Sequence, residues 1–427
     1  MLSVAEATEV VRQHLGPSLV ATSVTRASAG NGQETWLVDA GDEAGGGARR
    51  SLVLRRTAEA GTLEWTERAA EHRVLRALEG RGLPVPAVHG HGVLERPYLL
   101  MERLPGSAPG RLTGGERVGL ARELGRWLAR LHALDPVELG LEPVAARTAT
   151  LAEVAAWRSR YLAGRPGPVP LLGALLAWLE RNAPEDAARP ALLWGDPGPH
   201  NVLVADGRVS ALLDWELAHV GHPLEDLGAA VWSCLGRLDD REVVAAYEAE
   251  AGVVDRGPLD YFVALACASR SVMLLQGLSA WLAGRTSAPS AAGLGLGLLT
   301  LNLARGARAA GWGELPPPDG RPPELPLRPD VAEAATGVAR WLLAEVEPAV
   351  EGDRRLRRMT RAAATLLETA AQRVPPPAGA RDPAAAEEEA VRAEEAGGNE
   401  ALRAALLADL ARELPRLAPL TAFHGHA

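Results

Sequence analysis

The hydrophobic pattern of the chain changes character at about residue 104. Before that point, short apolar runs separated by polar or glycine-rich turns predict a small β-sheet accompanied by helices. The predicted elements are helices at 3–16 and 61–80 and strands at 19–25, 36–38, 51–56 and 98–104. After that point, apolar residues recur at helical spacing, most regularly over residues 115–134. The pattern therefore predicts an α+β protein with its sheet first and its helices afterwards.

Proline-rich sequence divides the last third of the chain. Residues 315–329 contain seven prolines, which is typical of a semi-rigid linker between domains. Helical patterns follow, so residues 330–427 are predicted to form a helical C-terminal domain. Residues 286–304 are uncharged, but their proline, asparagine and glycines favour a buried helix hairpin over a membrane span. We predict no transmembrane segment.

Composition and charge narrow the class of protein. With 427 residues and 47% hydrophobic residues, the chain can form two or three domains with a large core. The net charge of -9 argues against a general nucleic-acid binder, although a local basic pocket is compatible with it. Two cysteines, Cys234 and Cys267, do not make a disulfide framework, which predicts a cytoplasmic location. Both lie in apolar helical patterns, which predicts buried thiols. The N-terminal sequence has no signal-peptide pattern.

Two acids and one amide are predicted to converge within residues 191–228. Asp196 follows a short apolar strand, and Asn201 comes five residues later. An Ala-Asp-Gly-Arg turn at 205–208 predicts a β-hairpin whose return strand ends at Asp214. The hairpin would place oxygen ligands suited to Mg²⁺ beside an acid that can act as a base. An ordinary hairpin with polar turn residues is the weaker alternative, because the whole ordered set is present.

This segment resembles the catalytic and metal-binding segments of the aminoglycoside phosphotransferase-like kinases, which are relatives of the protein kinases. The resemblance implies Asp196 as the catalytic residue, with Asn201 and Asp214 as the Mg²⁺ ligands. One departure is Trp194, which stands where the family usually has a histidine. We expect His200 to take over the packing and hydrogen bonding of that histidine.

The same resemblance, which covers residues 20–312, implies a two-lobed protein-kinase-like fold. A small antiparallel sheet would form the N-lobe over residues 1–104. A mainly helical C-lobe would occupy residues 105–314, followed by the linker and the all-helical C-terminal domain. In this C-lobe Asp226, at a predicted helix start, is expected to hydrogen-bond the catalytic turn. His132 is expected to have a structural role.

Residues of the N-lobe would bind ATP, again by resemblance. The implied nucleotide-binding residues are Gly30, Asn31, Gly32, Arg55, Glu71, Met101, Glu102 and Arg103. The small residues would cover the phosphates, and the residues of the 98–104 strand would meet the adenine. Arg55 stands where the family usually has a lysine that holds the phosphates, and Glu71 would be its partner. Strand alternation places Arg55 and Arg56 on opposite faces of the sheet.

The implied activity is ATP- and Mg²⁺-dependent transfer of a γ-phosphoryl group to a hydroxyl of a small molecule. The Val-Leu-Arg strand and the Asp-Trp-Glu sequence at 214–216 are most similar to the branch associated with acyl-CoA dehydrogenases, which makes a hydroxyacyl-CoA a candidate acceptor. No nucleic acid or membrane partner is expected. The helical domain at 330–427 is assigned to contact with a protein partner or a second copy of the chain.

Two other functions compete with this one. A nucleotide-binding pseudokinase that regulates a partner through its C-terminal helices is compatible with Arg55 and Trp194. The retained Asp196, Asn201 and Asp214 argue against it. A dinucleotide enzyme that uses the glycine-containing loop is weaker, because the chain lacks a βαβ fingerprint.

Overall fold

The computed structural model describes most of the chain. The described residues are 2–27, 33–42, 49–58, 63–185, 188–234, 237–286, 289–316, 336, 338–340, 342–349, 360, 364 and 382–422. The chain divides into two compact units. The first comprises Met1–Ala58, Leu63–Thr150 and Pro184–Val263, and the second comprises Glu59–Thr62, Leu151–Ala183 and Ala264–Ala427. The predicted domain boundaries stay predictions, and most of the linker at 315–329 lies outside the described residues.

An antiparallel five-stranded sheet opens the first unit. Its elements are α1 Val4–Leu15, β1 Leu19–Arg26, β2 Gln33–Asp42, β3 Arg50–Thr57, α2 Arg68–Leu78, β4 Val88–Val93 and β5 Pro97–Glu102. The strand order is β1-β2-β3-β5-β4, and all neighbours are antiparallel. A capping box between Ser3 and Glu6 begins α1. The predicted α+β fold class is confirmed.

Alternation along the strands gives the sheet two different faces. On one face, Trp36, Leu52 and Leu54 form a core with α1 through residues such as Val10. Each fully buried aliphatic side chain of this kind contributes about 1.5–3 kcal/mol relative to exposure. Arg55 follows the core residue Leu54 on β3, and it pairs with Leu99 of β5, which is not part of this core. Arg55 therefore projects from the face opposite to this core.

Helix α2 is shorter than its hydrophobic pattern predicts. The prediction placed a helix at 61–80, but α2 begins at Arg68. The Thr66 hydroxyl donates to the carbonyl oxygen of Leu63 at 2.9 Å, which closes a turn before the helix. The same Thr66 hydroxyl lies 2.8 Å from a carboxylate oxygen of Glu216, a residue distant in sequence. A long-range contact thus accompanies the turn that precedes α2.

The remaining elements are mainly helical. In chain order the strands and longer helices are α3 Gly114–His132, α4 Ala146–Gly164, α5 Pro170–Arg181, β6 Ala191–Leu193, β7 Val202–Ala205, β8 Arg208–Leu212, β9 His219–Gly221, α6 Pro223–Cys234, α7 Asp240–Ala251, α8 Leu259–Leu282, α9 Pro289–Ala309, α10 Pro383–Glu395 and α11 Glu400–Ala422. Short helical segments lie at Pro199–Asn201, Leu342–Val346 and Glu347–Ala349. Helices α3 and α7 pack closely. A side chain at Gly125 would come within 2.2 Å of the Val243 carbonyl oxygen, so this crossing requires glycine.

The second unit places the C-terminal helices against α5. Arg158 Nη1 lies 2.5 Å from Glu180 and its Nη2 lies 3.3 Å from Glu395 of α10. Arg165 pairs with the buried Glu387 of the same helix. The predicted hairpin at 286–304 is wrong, because α9 is one helix that starts at Pro289. Proline is tolerated at a helix start, where its missing N–H is not needed.

One helix of the described residues, α8, is long and apolar enough to cross a bilayer by length and composition alone. Its most apolar window has a mean hydropathy of 1.4, and 83% of that window is buried inside the structure. Such burial is typical of the core helix of a folded domain. The helix is therefore weak evidence for a membrane span.

Candidate active site

The hairpin of β7 and β8 brings the predicted metal ligands together. Val202 pairs with Leu212, and the next residues outward are joined by a hydrogen bond of 2.8 Å from the Leu213 amide to the Asn201 carbonyl oxygen. The two turn residues, Asp206 and Gly207, both have positive φ values, 51° and 74°. These values suit the two-residue hairpin turn that the Asp-Gly sequence predicts. Asn201 is therefore opposite the residue that precedes Asp214.

Asp196 is held by two side chains of its own turn, those of Asn201 and His200. Its Oδ2 atom accepts a hydrogen bond of 2.9 Å from Asn201 Nδ2 and lies 3.1 Å from His200 Nε2. The same amide nitrogen of Asn201 lies 2.9 Å from the Asp196 carbonyl oxygen. Since the nitrogen of Asn201 is directed at Asp196, its amide oxygen is the atom suited to a metal. The turn thus fixes both the carboxylate and the amide.

Asp214 has an uncommon backbone conformation. Its φ of 64° lies in the left-handed region, which is rare for residues other than glycine and is enriched at functional sites. Its side chain is 34% exposed, and its Oδ1 atom accepts a hydrogen bond of 2.8 Å from Arg55 Nη2. The β8 strand therefore ends by presenting a carboxylate that is partly open to solvent and already in contact with a cation.

The donor set at this turn fits Mg²⁺. The Asp214 carboxylate and the Asn201 amide oxygen are hard oxygen ligands, and Mg²⁺ usually takes one or two carboxylates together with substrate phosphates and water. Among the residues that the structure describes, no group of three or more His, Cys, Asp and Glu is arranged to hold a metal ion. A metal bound here would therefore depend on the asparagine and on phosphate oxygens as well as on Asp214.

Arg55 and Glu71, the predicted phosphate-binding pair, are in direct contact. Arg55 Nη1 lies 2.6 Å from Glu71 Oε1, and both side chains are buried. Burial disfavours the charged guanidinium, but the carboxylates of Asp214, Glu71 and Glu216 outweigh it and raise the pKa of Arg55. Arg56 points to the other face, where its Nε atom donates to Glu34 at 3.0 Å. Alternation along β3 therefore directs only Arg55 to the site.

Two charged residues at the site were not predicted from the sequence, Arg68 and Glu216. Glu216 Oε1 lies 3.4 Å from Arg55 Nη2, and its Oε2 atom forms an ion pair with Arg68 Nη2. Arg68 Nη1 lies 2.5 Å from Glu71 Oε2. Burial raises the pKa of the Glu216 carboxyl to about 7, and the negative charge of Asp214 adds to the rise. The sequence carries a signal for Arg68 alone, because Arg68 precedes Glu71 by about one helical turn, whereas the partners of Glu216 are distant in sequence.

Trp194 itself provides the bond that was expected from His200. The indole Nε1 atom donates a hydrogen bond of 2.8 Å to the carbonyl oxygen of Leu213. Its ring stacks on Trp215 with 5.6 Å between centroids. His200 contacts Asp196 instead, so the prediction that it replaces the missing histidine is wrong. An indole N–H can cross-link the two chain segments as an imidazole N–H would.

The Asp226 carboxylate hydrogen-bonds to the backbone of the turn that carries Asp196, as predicted. Its Oδ2 atom accepts a hydrogen bond of 2.7 Å from the Trp194 amide, and its Oδ1 atom accepts one of 2.8 Å from the Gly195 amide. The side chain is fully buried. His132 Nε2 lies 3.1 Å from Asp226 Oδ2, and His132 Nδ1 lies 2.9 Å from the Tyr247 hydroxyl. His132 therefore has the expected structural role, as a link between α3, α6 and α7.

The predicted adenine-binding residues lie at the end of β5. Met101 is buried. The amide of Glu102 donates to the Ala87 carbonyl oxygen at 2.8 Å, and that of Arg103 donates to the Ser51 carbonyl oxygen at 3.0 Å. These two amides are thus engaged within the sheet, and their contact with a nucleotide stays a prediction. Gly30, Asn31 and Gly32 lie outside the described residues.

The antiparallel sheet, the Arg55–Glu71 pair and the turn with Asp196, Asn201 and Asp214 define a phosphotransferase of the kinase-like fold class. The chain also matches the phosphotransferase enzyme family, abbreviated APH, over residues 23–262, more than half of its length. The protein belongs to this family.

Two curated relatives match about half of this chain. The chain is 30% identical over 219 residues to acyl-CoA dehydrogenase family member 11 from Rattus norvegicus. The matched segment covers 48% of this chain and 27% of the relative. It is 30% identical over 203 residues to mouse acyl-CoA dehydrogenase family member 10, which covers 44% of this chain and 18% of the relative. The match thus spans less than a third of the length of either relative.

Among solved structures, a presumed aminoglycoside phosphotransferase from Ralstonia eutropha superposes with a TM-score of 0.57 at 23% identity, covering 73% of this chain and 99% of that chain. The aminoglycoside phosphotransferase APH(4)-Ia, solved with AMP-PNP and hygromycin B, gives a TM-score of 0.50 at 16% identity, covering 71% and 97%. At these identities the similarity establishes the fold.

Proposed function

We propose that the protein transfers the γ-phosphoryl group of ATP to a hydroxyl group of a small molecule, with Mg²⁺ as cofactor. Family membership supports phosphoryl transfer in general. The observation that carries the specific proposal is the position of Arg55. Its guanidinium contacts Glu71 at 2.6 Å and Asp214 at 2.8 Å, so a cation suited to phosphate lies beside a carboxylate suited to a metal.

Each residue of the site then has a distinct task. Arg55, fixed by Glu71, would hold phosphate oxygens of the nucleotide. Asn201 and Asp214 would hold Mg²⁺, which when bound supplies charge neutralisation at the phosphates. Asp196 would orient the acceptor hydroxyl and take its proton as the new oxygen–phosphorus bond forms. The bond between the γ-phosphorus and its bridging oxygen breaks, and ADP leaves.

Positioning of Asp196 is consistent with this role. Its carboxylate contacts Asn201 and His200, and the backbone at Trp194 and Gly195 is anchored by Asp226. A base that is held by several hydrogen bonds needs little rearrangement during reaction, and such preorganisation is a large part of catalysis in phosphoryl transfer.

For the acceptor, we propose a hydroxyacyl-CoA. The support is the pair of relatives named as acyl-CoA dehydrogenase family members, of which only a minor part matches this chain. The proteins with a similar fold include an aminoglycoside phosphotransferase solved with hygromycin B, so an aminoglycoside is the comparison substrate.

The test is transfer of labelled γ-phosphate from ATP in the presence of Mg²⁺ to a panel that contains a hydroxyacyl-CoA, an aminoglycoside, a macrolide, choline, homoserine and a sugar. The Asp196→Asn variant removes the proposed base. Asp206→Asn is the matched control, because it makes the same change in the nearby hairpin turn. Asparagine tolerates the positive φ of that position.

We expect transfer to the hydroxyacyl-CoA, a loss of about 10²–10⁴-fold in Asp196→Asn, and normal activity in Asp206→Asn. Transfer that survives in Asp196→Asn contradicts the role of Asp196. Nucleotide binding without transfer to any acceptor of the panel favours the pseudokinase instead. Transfer only to another acceptor keeps the phosphotransferase and removes the hydroxyacyl-CoA.

A further inference from the structure

Four charged side chains form a closed ring next to the turn that carries Asp214. Starting at Arg55, Nη1 contacts Glu71 Oε1 at 2.6 Å, and Glu71 Oε2 contacts Arg68 Nη1 at 2.5 Å. Arg68 Nη2 forms an ion pair with Glu216 Oε2, and Glu216 Oε1 lies 3.4 Å from Arg55 Nη2, which closes the ring. Both oxygens of each carboxylate and both terminal nitrogens of each guanidinium are therefore used. We refer to these four residues as the ion ring.

The ion ring is buried and balanced in charge. The exposed fractions of its side chains are 11% for Arg55, 1% for Glu71, 1% for Arg68 and 3% for Glu216. Two guanidinium groups face two carboxylates, so the ring carries no net charge when all four are ionised. Removal of one member would leave a buried charge without compensation, which is far more costly than removal of a balanced pair.

Glu216 is held in the ring by neutral groups as well. Gln33 Nε2 and the Thr66 hydroxyl each lie 2.8 Å from Glu216 Oε2. Thr66 also accepts a hydrogen bond of 2.7 Å from Arg68 Nη2. These contacts come from β2, from the turn before α2 and from α2 itself, so the ring is fixed by separate elements of the first unit.

The ring explains why an arginine occupies position 55. Arg55 uses Nη1 for Glu71 and divides Nη2 between Glu216 and Asp214, which lies outside the ring at 2.8 Å. The two nitrogens of a guanidinium are rigidly separated in one plane, so they can serve two carboxylates and keep a defined orientation. A lysine ammonium is a single point charge and cannot bridge the same positions.

On the basis of the proposed function, we propose that Arg68 and Glu216 are positioning residues for the phosphate-binding Arg55, and that the ion ring makes arginine obligatory at position 55. Arg68 and Glu216 fix the plane of the Arg55 guanidinium. The orientation of that plane decides which edge of the guanidinium faces Asp214 and the nucleotide phosphates. Neither residue needs to touch the substrate. Their effect should therefore appear in nucleotide affinity, because they act on the nucleotide through Arg55.

The first test compares Arg55→Lys with Arg56→Lys. Arg56 is the matched control, since it is a buried arginine on the same strand that also contacts a carboxylate, Glu34, on the opposite face. The affinity for ADP with Mg²⁺ is measured by calorimetry, which requires no acceptor. We expect Arg55→Lys to bind at least about tenfold more weakly, because bonds between charged groups are at stake. We expect Arg56→Lys to bind as the wild type does.

The second test separates positioning from stability. Arg68→Met and Glu216→Leu are prepared singly and together, and the melting temperature is measured beside the affinity for ADP. Each single variant leaves a buried charge imbalance and should melt earlier, whereas the double variant restores the balance and should recover melting temperature. Positioning predicts that the double variant still binds ADP about tenfold more weakly, because Arg55 has lost the Glu216 carboxylate and keeps only those of Glu71 and Asp214.

Wild-type affinity in Arg55→Lys overturns the inference, and so does recovery of affinity together with melting temperature in the double variant. If the double variant does not fold, the comparison of Arg55→Lys with Arg56→Lys decides alone. A wild-type protein that binds no nucleotide overturns the proposed function, and the inference with it. That outcome is recognised before any variant is measured.

Discussion

Replacement of Trp194 by phenylalanine isolates the cross-link between the turn that carries Asp196 and the strand that ends at Asp214. The indole Nε1 atom donates to the Leu213 carbonyl oxygen at 2.8 Å, and the whole side chain is buried. Phenylalanine keeps an aromatic ring against Trp215 but has no N–H. The Leu213 carbonyl oxygen then loses this donor in the interior of the first unit.

The expected cost has two parts. A buried polar group that loses its partner costs about 1–3 kcal/mol of unfolding free energy. The smaller ring also leaves a cavity, which costs about 24 cal/mol for each Å³ that does not collapse. Trp36 provides the control for the second part. Trp36 is 3% exposed and its indole nitrogen has no hydrogen-bond partner among the described residues, so Trp36→Phe reduces the side-chain volume without breaking a hydrogen bond.

The measurement is equilibrium unfolding in urea for Trp194→Phe, Trp36→Phe and the wild type. We expect Trp194→Phe to lose about 1–3 kcal/mol more than Trp36→Phe. Trp194→His should recover part of that difference, because an imidazole N–H can donate to the same carbonyl oxygen. Equal losses in the two phenylalanine variants would refute the importance of the indole hydrogen bond.

Three further predictions concern the same chain. Asp226→Asn replaces a buried carboxylate that accepts from two backbone amides, and thermal unfolding should show a loss of about 1.5–3 kcal/mol or more; an unchanged melting temperature contradicts the anchoring role. Burial lowers the pKa of His14 and of His72 below 6.5. As the pH drops below 6.5, the unfolded chain therefore protonates these imidazoles more readily than the folded protein does, and the unfolding free energy should fall. His72→Gln should flatten that slope in urea unfolding at several pH values, and an unaltered slope argues against the assignment. Cys234 is buried, and burial raises the pKa of the Cys267 thiol to about 12, so a disulfide reagent at pH 8 should modify no thiol in the native protein and two after denaturation; rapid modification of the native protein would contradict their burial.

Local signals predicted most of the elements near the site. The apolar spacing over residues 3–16 predicted α1, which spans Val4–Leu15, because that signal lies within the helix itself. The Asp-Gly turn predicts the β7–β8 hairpin and therefore the approach of Asn201 to Asp214. The start of α2 was missed. There the Thr66 hydroxyl forms a hydrogen bond with Glu216. Glu216 is distant in sequence, so no local pattern could predict this contact.

The replacement for the family histidine was also missed, for a related reason. Periodicity and motif spacing describe where a side chain lies along the chain, but not which carbonyl group an indole nitrogen reaches. His200 was the nearest imidazole in sequence, whereas Trp194 already lies within 2.8 Å of the Leu213 carbonyl oxygen. The choice between them depends on how the 194–196 turn packs against the end of β8.

By itself, the sequence determined the class of fold, the hairpin and the approach of Asn201 to Asp214, since these depend on residues that are close along the chain. The resemblance to the phosphotransferase family added Arg55 as a candidate, together with the roles expected of Asp196, Asn201 and Asp214. The tertiary structure decided which charges face one another. Arg68 and Glu216 are far apart in sequence and look like ordinary polar residues there. They become an ion ring only because the turn before α2, strand β3 and the end of β8 meet, and burial makes their mutual compensation necessary.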